Sequence, residues 1–411
     1  MKSKKSAQPQ ANLPASGDKG IHQKELRLCN QAKKQIATRK GNVAVFLGAG
    51  ASKAFGWPLT GELLPHILRG LIDKDLFDEN RINTKKEDET DRKHLKKTLS
   101  SLCPGLKIQV NYLKKYGKQL PLVTSLLSMV DYSIATGQSV INGATIEELR
   151  QGKLLIERAI YEVIEHELVP AGHNYWPQRS PNYHAYKLSK WTDNVRKSSA
   201  SVGYITSNYD LAIEQVWGVD NSTRKKIDKM GIDLGFPWLW ASNGSELLIQ
   251  RPVRPKRRLY KLHGSTNWLR CGLCDRIHIN PRVDVAVYAF QKYVDYNNTC
   301  HCGHSKLEMQ LVSPSFVRDI RSPNLISVWQ ASLDWLRSSN DWIIIGYSFP
   351  DEDLNIRSLF ARALSSQQKN VQITVIQHGD DDKTRMRYET FFPNKNLKYL
   401  TVGLETFLEK I

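Results

Sequence analysis

Val43-Ala44-Val45-Phe46-Leu47 runs directly into Gly48-Ala49-Gly50-Ala51-Ser52. Five consecutive apolar residues read as a strand buried on both faces, the habit of a parallel sheet. The turn behind it suits phosphate, because glycines let backbone approach an anion and the next helix points unpaired N–H groups and its dipole at it. A plain strand-to-helix connection fits the same residues, so the motifs downstream must decide.

Length and composition frame those motifs. A chain of 411 residues exceeds what one core usually serves, so an α/β domain with an inserted or appended second unit is predicted. No apolar run approaches a bilayer span, and Met1-Lys2-Ser3-Lys4-Lys5 lacks the apolar core of a signal peptide, so a soluble, cytoplasmic protein with no membrane partner is expected. The net charge of +18 implies attraction to polyanions or anionic small molecules. That charge is spread from Lys4 and Lys5 through Lys96 and Lys97 to the Arg254–Arg258 region without forming one stripe, which favours a solubilising or partner-attracting surface. Nucleic acid stays open as an alternative, at most as an indirect contact.

Residues 1–23, rich in Lys, Ser, Pro and Gln, read as a disordered basic lead-in. A helix is predicted over Lys24–Arg39, another from near Ser52 that Gly56-Trp57-Pro58 interrupts, and a third over Thr60–Ile72 with a possible kink at Pro65. Asp73–Thr98 is dominated by charge and reads as an exposed loop or mobile helix edge. Leu99–Trp191 shows apolar residues at helical spacing, Leu122, Leu126, Leu127 and Val130, then Leu154, Leu155, Ala159 and Val163. Residues 73–199 are therefore a predicted helical insertion, separating 24–72 from 200–411.

The sheet is expected to resume with Val202–Thr206, Arg258–Leu262, Met309–Val312, Trp342–Ile345, Val371–Ile376 and Leu397–Val402, with helical patterns such as Leu325–Leu336 and Leu354–Leu364 between them. The prediction is a doubly wound, mostly parallel, Rossmann-like α/β sheet with ligands at the carboxyl ends of its strands.

The chemistry-bearing residues fall at those ends. Ser207-Asn208-Tyr209-Asp210 follows one strand, and its amide and carboxylate suit either a ligand or an Asx turn in which Asp210 caps the helix Leu211–Trp217. His263-Gly264-Ser265 follows the next, where an imidazole can act as general base near neutral pH or serve the structure alone. Gly346-Tyr347-Ser348-Phe349-Pro350 and Gln377-His378-Gly379-Asp380 close two more.

Only six cysteines occur, and Cys271-Gly272-Leu273-Cys274 with Cys300-His301-Cys302-Gly303-His304 offers the ligand types of a tetrahedral zinc site. Residues 265–307 are the candidate module, with Cys271, Cys274, Cys300 and Cys302 as ligands. One residue between Cys300 and Cys302 leaves His304 as an alternative fourth ligand, and reduced surface thiols as the other reading.

Taken together, Gly48-Ala49-Gly50-Ala51-Ser52, Thr206–Asp210, Lys261-Leu262-His263-Gly264, the cysteine cluster and Gly346-Tyr347-Ser348 resemble the sirtuin superfamily, in the family's order over roughly residues 41 to 380. The resemblance implies NAD as substrate, its pyrophosphate against Gly48, Ala49, Gly50 and Ser52. It also implies Asn208 beside the nicotinamide ribose, Asp210 receiving the carboxamide, and His263 acting on the ribose hydroxyls. Gly346, Ser348 and Gln377 fall where the family contacts the adenosine half.

Two departures bear on activity. Protein deacylases continue with Gly-Ile-Pro-Asp-Phe-Arg, whereas this chain reads Gly56-Trp57-Pro58-Leu59-Thr60-Gly61 and lacks the acidic, aromatic and basic trio. Gly346–Asp351 and the helical insertion look more like the bacterial antiphage branch of sirtuin-like proteins, which hydrolyse NAD, some members pairing with a HerA-type hexameric ATPase. The resemblance implies an NAD hydrolase that forms a homo-oligomer, with an NAD-dependent protein deacylase or a non-enzymatic nucleic-acid or scaffold module as alternatives. A dehydrogenase is disfavoured, since Lys53 stands where its fingerprint wants glycine and no acidic residue closes a second strand about twenty residues on.

Overall fold

A computed structural model describes residues 18–77, 85–138, 144–168, 183–197, 201–217, 231–242, 245–279, 300, 302–303, 307–311, 322–365 and 371–409. Its strands are β1 (Asn42–Leu47), β2 (Val202–Thr206), β3 (Ile232–Asp233), β4 (Trp238–Ser242), β5 (Ser245–Ile249), β6 (Arg257–Lys261), β7 (Gly264–Cys271), β8 (Ile277–Ile279), β9 (Leu307–Leu311), β10 (Ser339–Ile345), β11 (Gln372–Ile376) and β12 (Leu397–Leu400). The helices are α1 (Asp18–Thr38), α2 (Ala49–Ala54), α3 (Thr60–Asp73), α4 (Lys85–Leu102), α5 (Val110–Tyr116), α6 (Val123–Thr136), α7 (Ile146–Leu168), α8 (Tyr183–Lys197), α9 (Ala212–Val216), α10 (Pro323–Ser338), α11 (Leu354–Ser365), α12 (Asp382–Phe391) and α13 (Gly403–Leu408).

Seven strands form one parallel sheet in the order β12-β11-β10-β1-β2-β6-β3, with β1 near its centre. The chain builds outward from β1 on one side, then returns to lay β10 against its other edge, so the direction of winding reverses between β1 and β10. Register aligns Leu47 with both Thr206 and Ile345, Thr206 with Lys261, and Ile345 with Ile376. The loops that follow these five residues therefore leave the sheet along a single edge, where α/β sheets bind ligands.

Side-chain alternation separates the two helical layers. On β2, Gly203 faces Trp335 of α10 so closely that an added Cβ would lie 2.5 Å from the indole nitrogen. The next residue, Tyr204, turns the other way, and its hydroxyl meets Thr192 of α8 at 2.6 Å. Ala44 and Phe46 share the Gly203 side by register, and Phe46 packs on Phe360 of α11. Both faces are thus covered, which is why β1 reads as an unbroken apolar run and is buried from Val43 to Leu47.

Four predictions need correction. Helix α1 begins at Asp18, so residues 18–23 are helical and do not belong to a disordered lead-in. The strand expected at Met309–Val312, described as far as Leu311, does not join the main sheet: β9 pairs antiparallel with β7 in a second, five-stranded sheet of order β5-β4-β8-β7-β9. Of the charged stretch Asp73–Thr98, residues 85–98 are helical, but not as an exposed edge, because α4 buries Leu95, Thr98 and Leu99 and packs on α6 and α7; residues 78–84 lie outside the described residues. The glycine motif is itself helical: α2 starts at Ala49, ahead of Ser52.

Of the apolar stripes, Leu126, Leu127, Val130, Leu155, Ala159 and Val163 are buried, whereas Leu122 and Leu154 are exposed. Helices α3 to α7 pack on one another. Although α8 lies within the 73–199 span, it packs on β2, α1 and α13. No helix among the described residues is long and apolar enough to cross a membrane.

Candidate functional site

The carboxyl edge of the sheet opens into a cavity of about 880 Å³. Its lining includes Ala49, Gly50 and Ser52 from the glycine turn, Asn208 and Asp210 after β2, His263 after β6, Gly346 and Ser348 after β10, and Gln377 after β11. Gly48 is the one predicted site residue of this set outside the lining.

The glycines answer first to one another. The Gly48 amide donates to the Ile345 carbonyl at 2.9 Å and the Gly50 amide to the Gly346 carbonyl at 2.7 Å. A Cβ on Gly48 would stand 2.6 Å from Tyr347 Cα, and one on Gly50 would stand 2.8 Å from Gly346 Cα. Gly346 is left-handed at φ +60°, and its own Cβ would fall 2.2 Å from the Ala51 nitrogen. Any side chain at these positions would part the two loops that floor the crevice.

On the β2 side, each polar group has a defined end. Asn208 Nδ2 donates to the Gly48 carbonyl at 2.8 Å, which leaves Oδ1 as the acceptor end. Asp210 Oδ1 accepts the Ala212 amide at 3.0 Å, the Asx turn read from sequence, and Oδ2 accepts the Ser52 hydroxyl at 2.5 Å. The helix at that place, α9, begins at Ala212. His263 is buried, and its Nδ1 lies 3.0 Å from the Ser207 carbonyl. A carbonyl only accepts, so Nδ1 carries a proton, and in a neutral ring the basic nitrogen is then Nε2. Asn208 and His263 are thus tied to neighbouring carbonyls in one cavity.

On the β10 side, Gln377 Nε2 and the Tyr388 hydroxyl both donate to the Tyr347 carbonyl at 2.5 Å. Phe349 takes a left-handed φ of +51°, which an aromatic residue adopts only when held. Rings of Tyr347, Phe360, Tyr388, Phe391 and Phe392 surround it.

Several lining residues were not read from sequence. Trp57, Pro58 and Leu59 form an apolar wall just after α2, in the segment that lacks the deacylase trio, and Lys53 pairs there with Glu62 at 2.8 Å. Leu122, Thr124 and Ile164 bring the helical unit to the cavity. Tyr161 of α7 sets its ring edge-on to Tyr209, 6.4 Å between centroids. The amphipathic patterns showed that α6 and α7 have buried faces, yet nothing local in them showed that the sheet's crevice is what they meet.

Residues 202–400 match the SIR2-like domain family. The match runs from β2 to β12, so the central strand β1 and its glycine turn precede it in sequence while lying inside the same sheet. Solved Sir2 structures align over most of both chains. One described as the structural basis for the mechanism and regulation of Sir2 enzymes has TM-score 0.42 and 14% identity, covering 94% of this chain and 96% of the other. A Sir2 with a p53 peptide and NAD+ has TM-score 0.41 and 11% identity, covering 92% and 94%. A Sir2 bound to acetylated peptide has TM-score 0.41 and 11% identity, covering 92% and 95%. No curated protein matches the chain.

Within the SIR2-like segment, Cys271 closes β7, Cys274 lies in the turn to β8, and Cys300 and Cys302 approach from farther along the chain. The four Sγ atoms lie within 4.8 Å of one another, with Cys271–Cys302 at 3.6 Å and Cys274–Cys300 at 3.5 Å. A tetrahedron of about 2.3 Å metal–sulfur bonds sets its sulfurs about 3.8 Å apart, so the group could hold a metal ion. Burial raises the Cys271 thiol, but the Cys274 and Leu273 amides and neighbouring thiols outweigh it and bring it down to about 7. Burial pushes Cys300 well up, although His278 Nε2 stands 3.4 Å from its sulfur. His304, the alternative ligand, lies outside the described residues.

Proposed function

We propose that this chain is an NAD hydrolase that releases nicotinamide and ADP-ribose. The observation that carries the reading is one cavity bordered on one side by Asn208, Asp210 and His263 and on the other by Ser348 and Gln377, across the reversal point of the sheet. A dinucleotide fits that span, and the SIR2-like match supports NAD-dependent activity in broad terms.

Nicotinamide leaves as a neutral molecule while the ribose carbon becomes oxocarbenium-like, so the site needs orientation more than acid catalysis. The Asp210 carboxylate is an acceptor suited to the carboxamide N–H₂, and Asn208 Oδ1 suits a water or ribose hydroxyl. His263 Nε2 takes the proton from the attacking water or from that hydroxyl, which balances cleavage of the glycosidic bond by one water with release of one proton. Ala49, Gly50 and Ser52 would hold the pyrophosphate, with Gly48 shaping the turn beneath them. A structural zinc on Cys271, Cys274, Cys300 and Cys302 would tie the β7–β8 turn to Cys300 and Cys302, none of the four being among the residues that line the cavity.

The biological reading extends from this one. Uncontrolled NAD loss is toxic, so we infer a cytoplasmic antiphage effector held in check until triggered, working as a homo-oligomer with a HerA-type hexameric ATPase as candidate partner. The helical unit or the basic N-terminus is the proposed contact.

The test mixes purified chain with NAD, alone and with the product of the neighbouring gene, in the presence and absence of an acyl-lysine peptide. Equimolar nicotinamide and ADP-ribose with intact peptide is expected. Peptide consumed in step with NAD would instead establish a deacylase, and steep, salt-sensitive DNA binding without turnover would favour the nucleic-acid module.

A further inference from the structure

Beneath the loop that carries Asn208 and Asp210 sits a buried cation that the mechanism above does not use. Lys261, the last residue of β6, has no solvent exposure. Its Nζ donates to the Asp210 carbonyl at 2.5 Å, Ser265 Oγ at 2.7 Å and Glu214 Oε1 at 2.9 Å, with the Tyr209 carbonyl at 3.3 Å. An ammonium has three N–H donors, so the three shorter contacts saturate it and the fourth is shared. The Tyr209 carbonyl also receives the Thr266 amide at 3.2 Å, which pins the same loop to the start of β7.

Burying an ion pair here is costly. Its desolvation penalty commonly cancels the attraction, and apolar side chains of similar volume fill such space at no loss of stability. Apolar side chains, however, offer nothing to two backbone carbonyls. Those carbonyls belong to Tyr209 and Asp210, the residues that follow Asn208. These peptides flank Asp210, whose carboxylate holds Ser52, and lie just after Asn208, whose amide holds the Gly48 carbonyl, so a loop free to shift at these peptides would loosen both side chains.

We propose that Lys261 is a positioning residue: anchored by Glu214 and Ser265, its ammonium fixes the Tyr209 and Asp210 carbonyls and thereby aims the side chains of Asn208 and Asp210 into the cavity. What those side chains do there rests on the NAD-hydrolase reading; the clamp itself does not.

Lys261→Met alone leaves the Glu214 carboxyl buried without its partner, so lower thermal stability and lower activity are both expected from it. The discriminating variant is Lys261→Met with Glu214→Leu, which removes the pair together. Its melting temperature is expected to lie above that of Lys261→Met, while kcat for nicotinamide release stays about tenfold to a hundredfold down and KM for NAD moves far less. Amide hydrogen exchange over residues 207–211 is expected to speed up in the double variant. A kcat and exchange rate both at wild-type levels would overturn the proposal.

Ser265→Ala, which takes away one anchor of the ammonium with little risk to the fold, gives the same test: faster exchange at 207–211 supports the clamp and unchanged exchange overturns it. A wild-type protein that does not cleave NAD would defeat the hydrolase reading, and the exchange comparison would still decide the clamp.

Discussion

Ser52 Oγ donates to Asp210 Oδ2 at 2.5 Å, joining the glycine turn after β1 to the loop after β2. One carboxylate thereby holds two strand ends together and faces the cavity. Hydrogen bonds to a charged, partly buried acceptor contribute about 1.5–3 kcal/mol. Ser52→Ala is expected to lower unfolding free energy by about 1–2 kcal/mol in urea titration and to reduce nicotinamide release. An unchanged stability and rate would show that the two loops hold their places without this bond.

Gly346→Ala tests the floor of the crevice. The residue is left-handed, and its new Cβ would meet the Ala51 nitrogen at 2.2 Å. Backbone strain and overpacking together are expected to cost about 2–5 kcal/mol, read as a lower denaturant midpoint, with loss of NAD binding by calorimetry. Wild-type stability would mean that the β1 and β10 loops can separate freely.

The cysteine group makes a stoichiometric prediction. Purified protein is expected to carry one zinc per chain by elemental analysis, and a strong chelator or Cys271→Ser is expected to remove it and lower the melting temperature. Metal uptake must displace thiol protons, so affinity is expected to fall as pH drops through about 7, where Cys271 titrates. A metal-free protein that melts at the same temperature with and without chelator would leave the thiols as mere neighbours.

Much of this was legible from local pattern. An apolar run that cannot alternate must be buried on both sides, and the glycine turn and Gly346 follow such runs, while Asn208, His263 and Gln377 follow strands of more mixed composition; a parallel sheet brings all of them to one edge. The failures share a cause, which is that pairing partners are not written locally. Residues 309–312 read as a strand, yet nothing in them distinguishes the parallel sheet from the antiparallel one that β9 joins. The stripe Leu95, Leu99 and Leu102 in α4 has helical spacing, but the lysines and glutamates around it drown the signal. In the sequence Lys261 is marked only as the first residue of the Lys261-Leu262-His263-Gly264 motif; only the fold reveals that Glu214, Ser265 and two carbonyls enclose it. The glycines were read as room for a ligand, and they also make room for each other.

The most direct measurement is the rate of nicotinamide release from NAD by the wild-type chain, Asn208→Ala and His263→Ala, each checked for an unchanged melting temperature. Wild type is expected to yield nicotinamide and ADP-ribose in equal amounts, with both variants down by about a hundredfold or more. Both variants turning over NAD at the wild-type rate would contradict the assignment of the site.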